Sequence, residues 1–222
     1  MTAIEELQEL FRQHRKPDQV KAMENYMKNN FQFLGLKTDS RRGLFTEWYK
    51  KHEPEIKVDF RSIAQQLFEM PYREFHYCGM EVLIKAIKKN YRKEDIHLIE
   101  FFLINQSWWD TVDVVAKYLL GGYLQAFPEE IPTVIERFSA SDNLWLNRSA
   151  IIFQLSYKAN TDFDLLKAEC YKHKDSKEFF IQKAIGWALR DYSRFNPAGV
   201  RTFVENTDLK PLSKREALRN LP

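Results

Sequence analysis

Hydrophobic residues recur along the chain at i, i+3, i+4 and i+7, the spacing of one face of an α-helix. Alternation of apolar and polar residues, the mark of a half-buried strand, is not convincing over six or more positions. Prolines separate the periodic segments, and only seven glycines occur among the 222 residues. This pattern predicts an all-α protein.

Hydroxyl and carboxyl side chains precede several of the periodic segments and predict their N-terminal caps. Four pairs fit the capping box or its Asp variant, in which the cap and a residue three positions later bond to each other's backbone. These pairs are Thr2 with Glu5, Ser107 with Asp110, Asp175 with Glu178, and Ser213 with Glu216. Ser141 and Asp142 suggest a further cap without the box.

The predicted helix starts recur with a period close to 35 residues. Long amphipathic segments open at Pro71, Ser107, Ser141, Ser176 and Ser213, with gaps of 34 to 37 residues. Shorter helical segments are expected between them, at 93–104, 128–138, 161–172 and 197–206. Two helices per period predict a HEAT-like helical-repeat solenoid, an α-α superhelix. The long helices would present their N-termini together on a concave cationic groove.

No linker or low-complexity stretch divides the chain, so we expect a single domain over residues 1–222. The net charge of +3 permits an acidic partner such as nucleic acid without requiring one. Two cysteines and five histidines show no ligand-like spacing, and we expect no metal or cofactor. The acidic first residues and the lack of a long apolar run predict a cytoplasmic protein without a signal peptide or membrane segment.

The segment SWWDTVD, residues 107–113, holds two adjacent tryptophans and two acids. Trp108 begins a complete apolar stripe and is expected in the core. Trp109 and Asp113 are four residues apart and share a neighbouring face of the same helix. That face therefore carries a large aromatic side chain beside a carboxylate.

A second tryptophan lies off the apolar stripe of the helix predicted after Ser176. Trp187 shares its face with Lys183 and Arg190. Either tryptophan alone is as easily explained by cover from an adjacent helix pair. Two of them, each with a charged neighbour one turn away, favour a shared groove.

Further polar residues would line this groove if the repeats align. Arg148 lies seven residues after Ser141, as Lys183 lies seven after Ser176. By itself, Arg148 is equally well explained as a buried structural arginine. A row of helix N-termini with hydroxyls and cations would bind phosphates, although solvated capping explains any single member. These further candidates are Thr38, Arg41, Arg42, Ser107, Ser141, Ser176 and Lys214.

A concave cationic surface with aromatic platforms is typical of a nucleic-acid groove. The carboxylate of Asp113 does not suit a groove that only binds, because it repels phosphate. An enzyme that generates positive charge in its substrate would gain from it.

These residues resemble the AlkD family of bacterial DNA glycosylases, HEAT-like repeat proteins that remove alkylated purines. The resemblance covers nearly the whole chain, and the pairing of SWWDTVD with FFIQKAIGW is highly specific. Because the chain ends soon after the last motif, we expect a short final helix or an absent tail. The motifs are YMKNNFQFLGLKT, SWWDTVD, SDNLWLNRSAIIFQLSYK, DSKEFFIQKAIGWALR and PLSKREAL.

The resemblance implies roles for five residues. Asp113 corresponds to the family's catalytic carboxylate. Trp109 and Trp187 correspond to the aromatic pair that contacts the sugar and backbone of the damaged nucleotide. Arg148 corresponds to a groove arginine that contacts DNA, and Tyr26 to an aromatic residue near the lesion.

The resemblance also implies a reaction: hydrolysis of the N-glycosidic bond of 3-methyladenine, 7-methylguanine and bulky N3 or N7 adducts in double-stranded DNA, without a base-flipping pocket. No lysine stands out as a Schiff-base nucleophile, so we expect a monofunctional base-excision-repair glycosylase. We expect a monomer with no obligate protein partner, associated with the bacterial nucleoid when bound to DNA.

Two alternative functions are compatible with the same fold and involve no catalysis. One is a non-catalytic HEAT-like module that binds nucleic acid or branched DNA. The other is a protein–protein scaffold, which leaves Asp113 and the cations without a role.

Overall fold

A computed structural model of the chain describes residues 2–88, 90–155 and 157–221. Regular structure in these ranges is helical, apart from one isolated bridge between Gln32 and Tyr72, and the all-α prediction is confirmed. No described helix is both long and apolar enough to cross a membrane. The described residues form two compact units, with the boundary between Tyr91 and Arg92. The predicted single domain includes four residues outside the described ranges and stays a prediction.

The first unit contains five helices within its described residues. The capping box of α1 is confirmed, because Thr2 Oγ1 accepts the backbone N–H of Glu5 at 3.2 Å and the Glu5 carboxylate accepts that of Thr2 at 2.8 Å. The helices are α1 (Ala3–Gln13), α2 (Pro17–Tyr26), α3 (Thr38–Lys51), α4 (Glu53–Phe68) and α5 (Arg73–Ile87).

The segment between α2 and α3 is held by one buried carboxylate. Glu74 accepts the backbone N–H groups of Leu34, Gly35 and Leu36 at 3.0–3.1 Å. Gly35 has a φ of +90°, and a Cβ there would lie 2.1 Å from the carbonyl oxygen of Lys16. Only glycine suits this position, so the entry to α3 depends on Gly35 and on its contacts with Lys16 and Glu74, which are distant in the sequence.

The second unit continues the helices in pairs. A π-helical turn, Val115–Leu120, joins α7 to α8, and short 3₁₀ turns occur at Pro128–Glu130 and Lys158–Asn160. The α-helices are α6 (Asp95–Ile104), α7 (Trp109–Val114), α8 (Gly121–Ala126), α9 (Ile131–Ser139), α10 (Leu144–Ile152), α11 (Phe163–Lys172), α12 (Phe179–Tyr192), α13 (Pro197–Asn206) and α14 (Pro211–Leu218).

The predicted period is confirmed in the order of these helices. Each helix that opens a predicted period (α5, α7, α10, α12 and α14) begins within three residues of its predicted start. The shorter intervening helices α6, α9, α11 and α13 also occur where they were expected. The chain is therefore a helical-repeat protein of the HEAT-like class.

Two of the predicted caps in the second unit are wrong because their hydroxyls bond elsewhere. Ser107 donates to the carbonyl of Leu103 at 2.6 Å, and α7 begins after Trp108 without a side-chain cap. Ser213 lies buried inside α14, where it donates to the carbonyl of Gln182 at 3.0 Å. In both cases a carbonyl already near the hydroxyl satisfies it.

The other two errors place the cap too early in the sequence. Asn143, rather than Ser141 or Asp142, caps α10 by accepting the N–H of Trp145 at 2.8 Å. Asp175 was predicted to cap the next helix with Glu178, but it pairs with Lys174 at 3.1 Å. Glu178 itself directly precedes α12, which has no side-chain cap, and Ser176 accepts the N–H of Glu178 at 3.2 Å. Both serines stabilise the turn before the helix, which short polar side chains do as readily as they cap.

The apolar stripe that begins within SWWDTVD is confirmed between Val112 and Tyr123. All the residues of the stripe in that range are fully buried. Trp108, at its start, is only partly buried, so the prediction that it is a core residue is wrong. It packs edge-on against Trp145 and Phe180, with ring centroids 5.8 and 5.3 Å away. Trp108 precedes the first residue of α7 and has extended backbone angles, so the helical spacing used for the stripe does not apply to it.

A close approach between α12 and α14 depends on Gly186. A Cβ at this position would lie 2.4 Å from the Cβ of Glu216 and 2.9 Å from the carbonyl oxygen of Ser213. The neighbouring residues Ala184, Ile185 and Ala188 are buried, so the contact belongs to the core of the second unit. The missing side chain lets one helix backbone lie against the other.

We expect Gly186→Ala to destabilise the protein by about 1–3 kcal/mol, because a methyl group overpacks this contact. Gly43 in α3 is the matched control, since a Cβ there meets nothing within 4 Å. Gly43→Ala should stabilise by about 0.5–1 kcal/mol through helix propensity. Urea unfolding of both variants measures the difference, and two shifts of the same sign would contradict the role assigned to Gly186.

Candidate active site

One cleft in the second unit collects most of the functional residues predicted there. Its volume is about 350 Å³, and it is formed by α7, α10 and α12. Six of its lining residues were predicted from the sequence, and Phe179 and Phe180 were not. The lining consists of Trp109, Asp113, Arg148, Phe179, Phe180, Lys183, Trp187 and Arg190.

Asp113 and Arg148 form a two-pronged ion pair at this cleft. Arg148 Nε donates to Asp113 Oδ1 at 2.7 Å, and Nη2 donates to Oδ2 at 2.9 Å. Nη1 of the same guanidinium donates to the backbone carbonyl of Phe180. The side chain of Arg148 is 5% exposed and that of Asp113 is 16% exposed. Arg148 is therefore the buried partner that fixes the carboxylate, which keeps an edge open to the cleft.

Burial raises the pKa of Asp113 above its usual range. The hydrogen bonds and charge of Arg148 oppose this rise, and the nearby charge of Asp110 adds to it. The carboxylate consequently takes up a proton at a higher pH than an exposed aspartate would. Because the guanidinium stays charged in proteins, it supports the ionised form at neutral pH.

Aromatic rings form much of the cleft wall. Trp109 comes from the first turn of α7 and Trp187 from the middle of α12. Phe180, which also lines the cleft, packs against Trp108 and Trp145, with ring centroids 5.3 and 5.1 Å away. Such a wall suits a flat or apolar group and offers π faces to a cation.

Phe179 is the most exposed of these rings, at 58%. Both phenylalanines precede the apolar stripe of α12, whose first buried residue is Ile181, so the helical spacing gave no reason to select them. The available signal was an adjacent aromatic pair inside the FFIQKAIGW motif, two residues after a polar turn.

Two cations of the cleft share a carboxylate that sequence analysis assigned to a helix cap. Glu216 on α14 pairs with Lys183 Nζ at 3.2 Å and with Arg190 Nη1 at 2.6 Å. No periodicity relates α14 to a face of α12, so the sequence contains no signal for this contact. The assignment of Lys183 and Arg190 to phosphate contacts stays a prediction.

The other predicted DNA contacts lie outside the lining of this cleft. Ser107, Ser141, Ser176 and Lys214 belong to the second unit, and Lys214 is exposed. Tyr26, Thr38 and Arg42 belong to the first unit, where Tyr26 is 67% exposed. Arg42 shares Glu81 with the buried Arg41, at 3.3 and 2.7 Å. Their contacts with DNA stay predictions.

The helix pairs and the acid-bearing cleft define a HEAT-like helical-repeat protein with a candidate active site. The chain belongs to the DNA alkylation repair enzyme family, whose model matches residues 7–221. The resemblance to the AlkD family is confirmed by this match, and membership implies DNA binding in the repair of alkylation damage. No curated protein is a significant match to the chain.

Solved structures agree with this assignment. A predicted DNA alkylation repair enzyme from Enterococcus faecalis is 29% identical, with a TM-score of 0.84 over 93% of this chain and 96% of that one. The smu.31 protein of Streptococcus mutans UA159 is 16% identical, with a TM-score of 0.59 over 83% and 98%. AlkD2 from Streptococcus mutans is 17% identical, with a TM-score of 0.56 over 77% and 87%. The last two share the fold.

Arg148→Gln is expected to raise the pKa of Asp113 further, because burial remains while the opposing charge is lost. The folded variant would then exceed the unfolded chain in proton affinity by more than the wild type does. Stability should consequently fall as the pH rises from the unfolded pKa through the folded pKa. A ¹³C NMR titration of the Asp113 carboxyl carbon measures the shift.

Arg137→Gln is the control, since Arg137 pairs with Glu100 at 2.6 Å and does not line the cleft. It should leave the titration of Asp113 unchanged. An Asp113 pKa that stays constant or falls in Arg148→Gln would show that the guanidinium does not support the charged carboxylate.

Proposed function

We propose that this protein is a DNA glycosylase of base excision repair that hydrolyses the N-glycosidic bond of cationic alkylated purines. One observation carries the proposal: the largely buried Asp113 carboxylate, held on two atoms by Arg148, opens into a cleft lined by Trp109 and Trp187. Family membership supports the DNA substrate. The carboxylate supports the chemistry.

In the proposed reaction the substrate supplies a good leaving group. Alkylation at N3 or N7 places a positive charge on the purine, which departs as a neutral base when the bond to C1′ breaks. The bonding electrons go to the base, and the sugar becomes an oxocarbenium ion. Water then adds at C1′ and loses a proton, which leaves an abasic site in an intact strand.

Asp113 acts on the charge that develops in the sugar. An ionised carboxylate attracts the oxocarbenium ion more strongly than the ground-state sugar, and such differential stabilisation lowers a barrier. The same carboxylate can accept the proton of the attacking water. Arg148 orients both oxygens in advance, so the carboxylate need not reorganise during the reaction. Its bidentate contact gives a fixed geometry that a lysine would not.

The aromatic wall serves the same charge. The faces of Trp109 and Trp187 carry the negative part of their ring quadrupoles and attract the cationic sugar. Their size also excludes water from the region near C1′, which strengthens the attraction of Asp113. We place the sugar of the damaged nucleotide in this cleft. In this proposal no closed pocket encloses the damaged base.

In this arrangement the selectivity for damaged bases depends on the leaving group. A cleft that contacts the sugar distinguishes lesions by how easily the base departs, so 3-methyladenine, 7-methylguanine and bulky N3 or N7 adducts are all substrates. No lysine is assigned a nucleophilic role, and the strand is not cut. The proposed enzyme acts as a monomer in the cytoplasm, on nucleoid DNA, without a cofactor or obligate partner.

The alternative of a non-catalytic binding module explains the cations and the aromatic residues. It does not account for a desolvated aspartate beside them, because a binding surface loses affinity through a carboxylate near phosphate. We therefore favour the glycosylase over the binding module and the protein scaffold.

Asp113→Asn is expected to slow release of 7-methylguanine from methylated duplex DNA by about 10²–10³-fold, the usual effect of removing one well-placed electrostatic stabiliser. Chromatography of the released base under single-turnover conditions measures it. Glu100→Gln in the same unit is the control, since Glu100 pairs with Arg137 at 2.6 Å and does not line the cleft. Excision by a folded Asp113→Asn variant at the wild-type rate would refute the proposed mechanism.

A panel of lesions in one duplex sequence tests the proposed selectivity. Wild-type protein should release 7-methylguanine, 3-methyladenine and a bulky N7 adduct, and should leave uracil in place, because neutral uracil must depart as an anion. Spontaneous loss in protein-free duplexes is subtracted from each rate. Uracil release at a rate similar to that of 7-methylguanine would contradict selection by leaving-group charge.

A further inference from the structure

Glu216 lies outside the cleft lining, yet it is bonded to two residues that belong to it. Its Oε1 is 3.2 Å from Lys183 Nζ, and its Oε2 is 2.6 Å from Arg190 Nη1. Arg190 Nη1 also donates to the backbone carbonyl of Glu216 at 3.3 Å. One residue of α14 therefore restrains two cations of α12.

The two cations lie on either side of a predicted catalytic residue. Lys183 precedes Trp187 by four residues and Arg190 follows it by three, so all three share one face of α12. The side chain of Glu216 is 10% exposed, compared with 35% for Lys183 and 20% for Arg190. The carboxylate is thus the buried anchor of the group, and the cations are its more accessible parts.

The position of Glu216 is fixed by the backbone as well as by charge. Gly186 lies one residue before Trp187, and the Cβ of Glu216 occupies the space that a side chain there would need. Ser213, one turn earlier on α14, donates to the carbonyl of Gln182 at 3.0 Å. Hydrogen bonds from Arg190 and Lys183 lower the pKa of Glu216 below its usual range.

We propose that Glu216 is a positioning residue, which holds Lys183 and Arg190 beside Trp187 so that they orient the DNA backbone at the cleft. This inference rests on the proposed function, because it assigns the two cations to a duplex substrate. A glutamate that only filled space would not need two cationic partners on the lining of the cleft. A glutamate that only neutralised them would not need to be buried.

The two effects of replacing Glu216 by glutamine have opposite signs, which makes the inference testable. Loss of a negative charge frees the cations for phosphate and favours DNA binding. Loss of the anchor lets the same cations move, and misplacement of a bound substrate slows the chemical step. A residue that served only the fold would weaken binding and reaction together.

The experiment compares wild type with Glu216→Gln, Glu216→Asp and Glu100→Gln. Glu100 is the matched control, since its carboxylate pairs with Arg137 at 2.6 Å in the same unit and does not line the cleft. Single-turnover release of 7-methylguanine and the salt dependence of binding to undamaged duplex DNA are measured for each, together with the melting temperature.

Glu216→Gln is expected to release 7-methylguanine roughly 10- to 100-fold more slowly than wild type. Its binding to undamaged duplex should not weaken, and the slope of log K against log salt should steepen by about 0.9 for each additional phosphate contacted. Glu216→Asp keeps the charge and should recover part of the rate. Glu100→Gln should match wild type in both measurements.

Four results would overturn the inference: equal rates for Glu216→Gln and Glu100→Gln, faster excision by Glu216→Gln, an unchanged salt slope, or losses of rate, binding and melting temperature in parallel. Failure of the proposed function looks different, because wild type itself would then release no methylated purine. The salt slope would still decide the role of Glu216 in that case, and an unchanged slope would refute it.

Discussion

The two-pronged contact between Arg148 and Asp113 is the interaction on which the rest of the site depends. A carboxylate that is largely buried costs free energy unless a charged partner and hydrogen bonds compensate for desolvation. Arg148 supplies the charge and two hydrogen bonds, at 2.7 and 2.9 Å, through Nε and Nη2. Its remaining nitrogen, Nη1, donates to the backbone carbonyl of Phe180. One guanidinium thereby ties α10 to α7 and to the start of α12. It also fixes the acid whose exposed edge lines the cleft.

The charged residues at the cleft form one pair and one group of three, and the two sets differ in which member is buried. In one pair the cation Arg148 is the buried member, and the acid faces the cleft. In the other group the acid Glu216 is the buried member, and Lys183 and Arg190 are more accessible. The first arrangement suits a substrate that becomes cationic, and the second suits a polyanion. Both charges are needed if a DNA backbone is to be held while positive charge develops on one of its sugars.

The period of the helices could be predicted because each helix buries one apolar face, and the spacing of the apolar residues marks that face in the sequence. Five lining residues of the cleft were likewise predicted from faces of single helices, as Trp109 and Asp113 illustrate. Arg148 was predicted from the alignment of the repeats. The helix caps were predicted less accurately than the helices. Ser107 and Ser213 had carbonyls of Leu103 and Gln182 within reach, and a hydroxyl bonds to whichever partner packing brings closer. The capping box is defined by residues close together in the sequence. The carbonyl that competes for its hydroxyl can come from another helix.

The sequence by itself determined the helical class, the period near 35 residues, and the pairing of each off-stripe tryptophan with a charge one turn away, because these follow from the 3.6-residue repeat of one helix. Only the tertiary structure decided which charges neutralise each other. Asp113 and Arg148 are 35 residues apart in the chain, and Lys183 and Glu216 are 33 apart. Contacts between helices depend on side-chain direction and on close approaches such as that at Gly186, which no single-helix pattern contains.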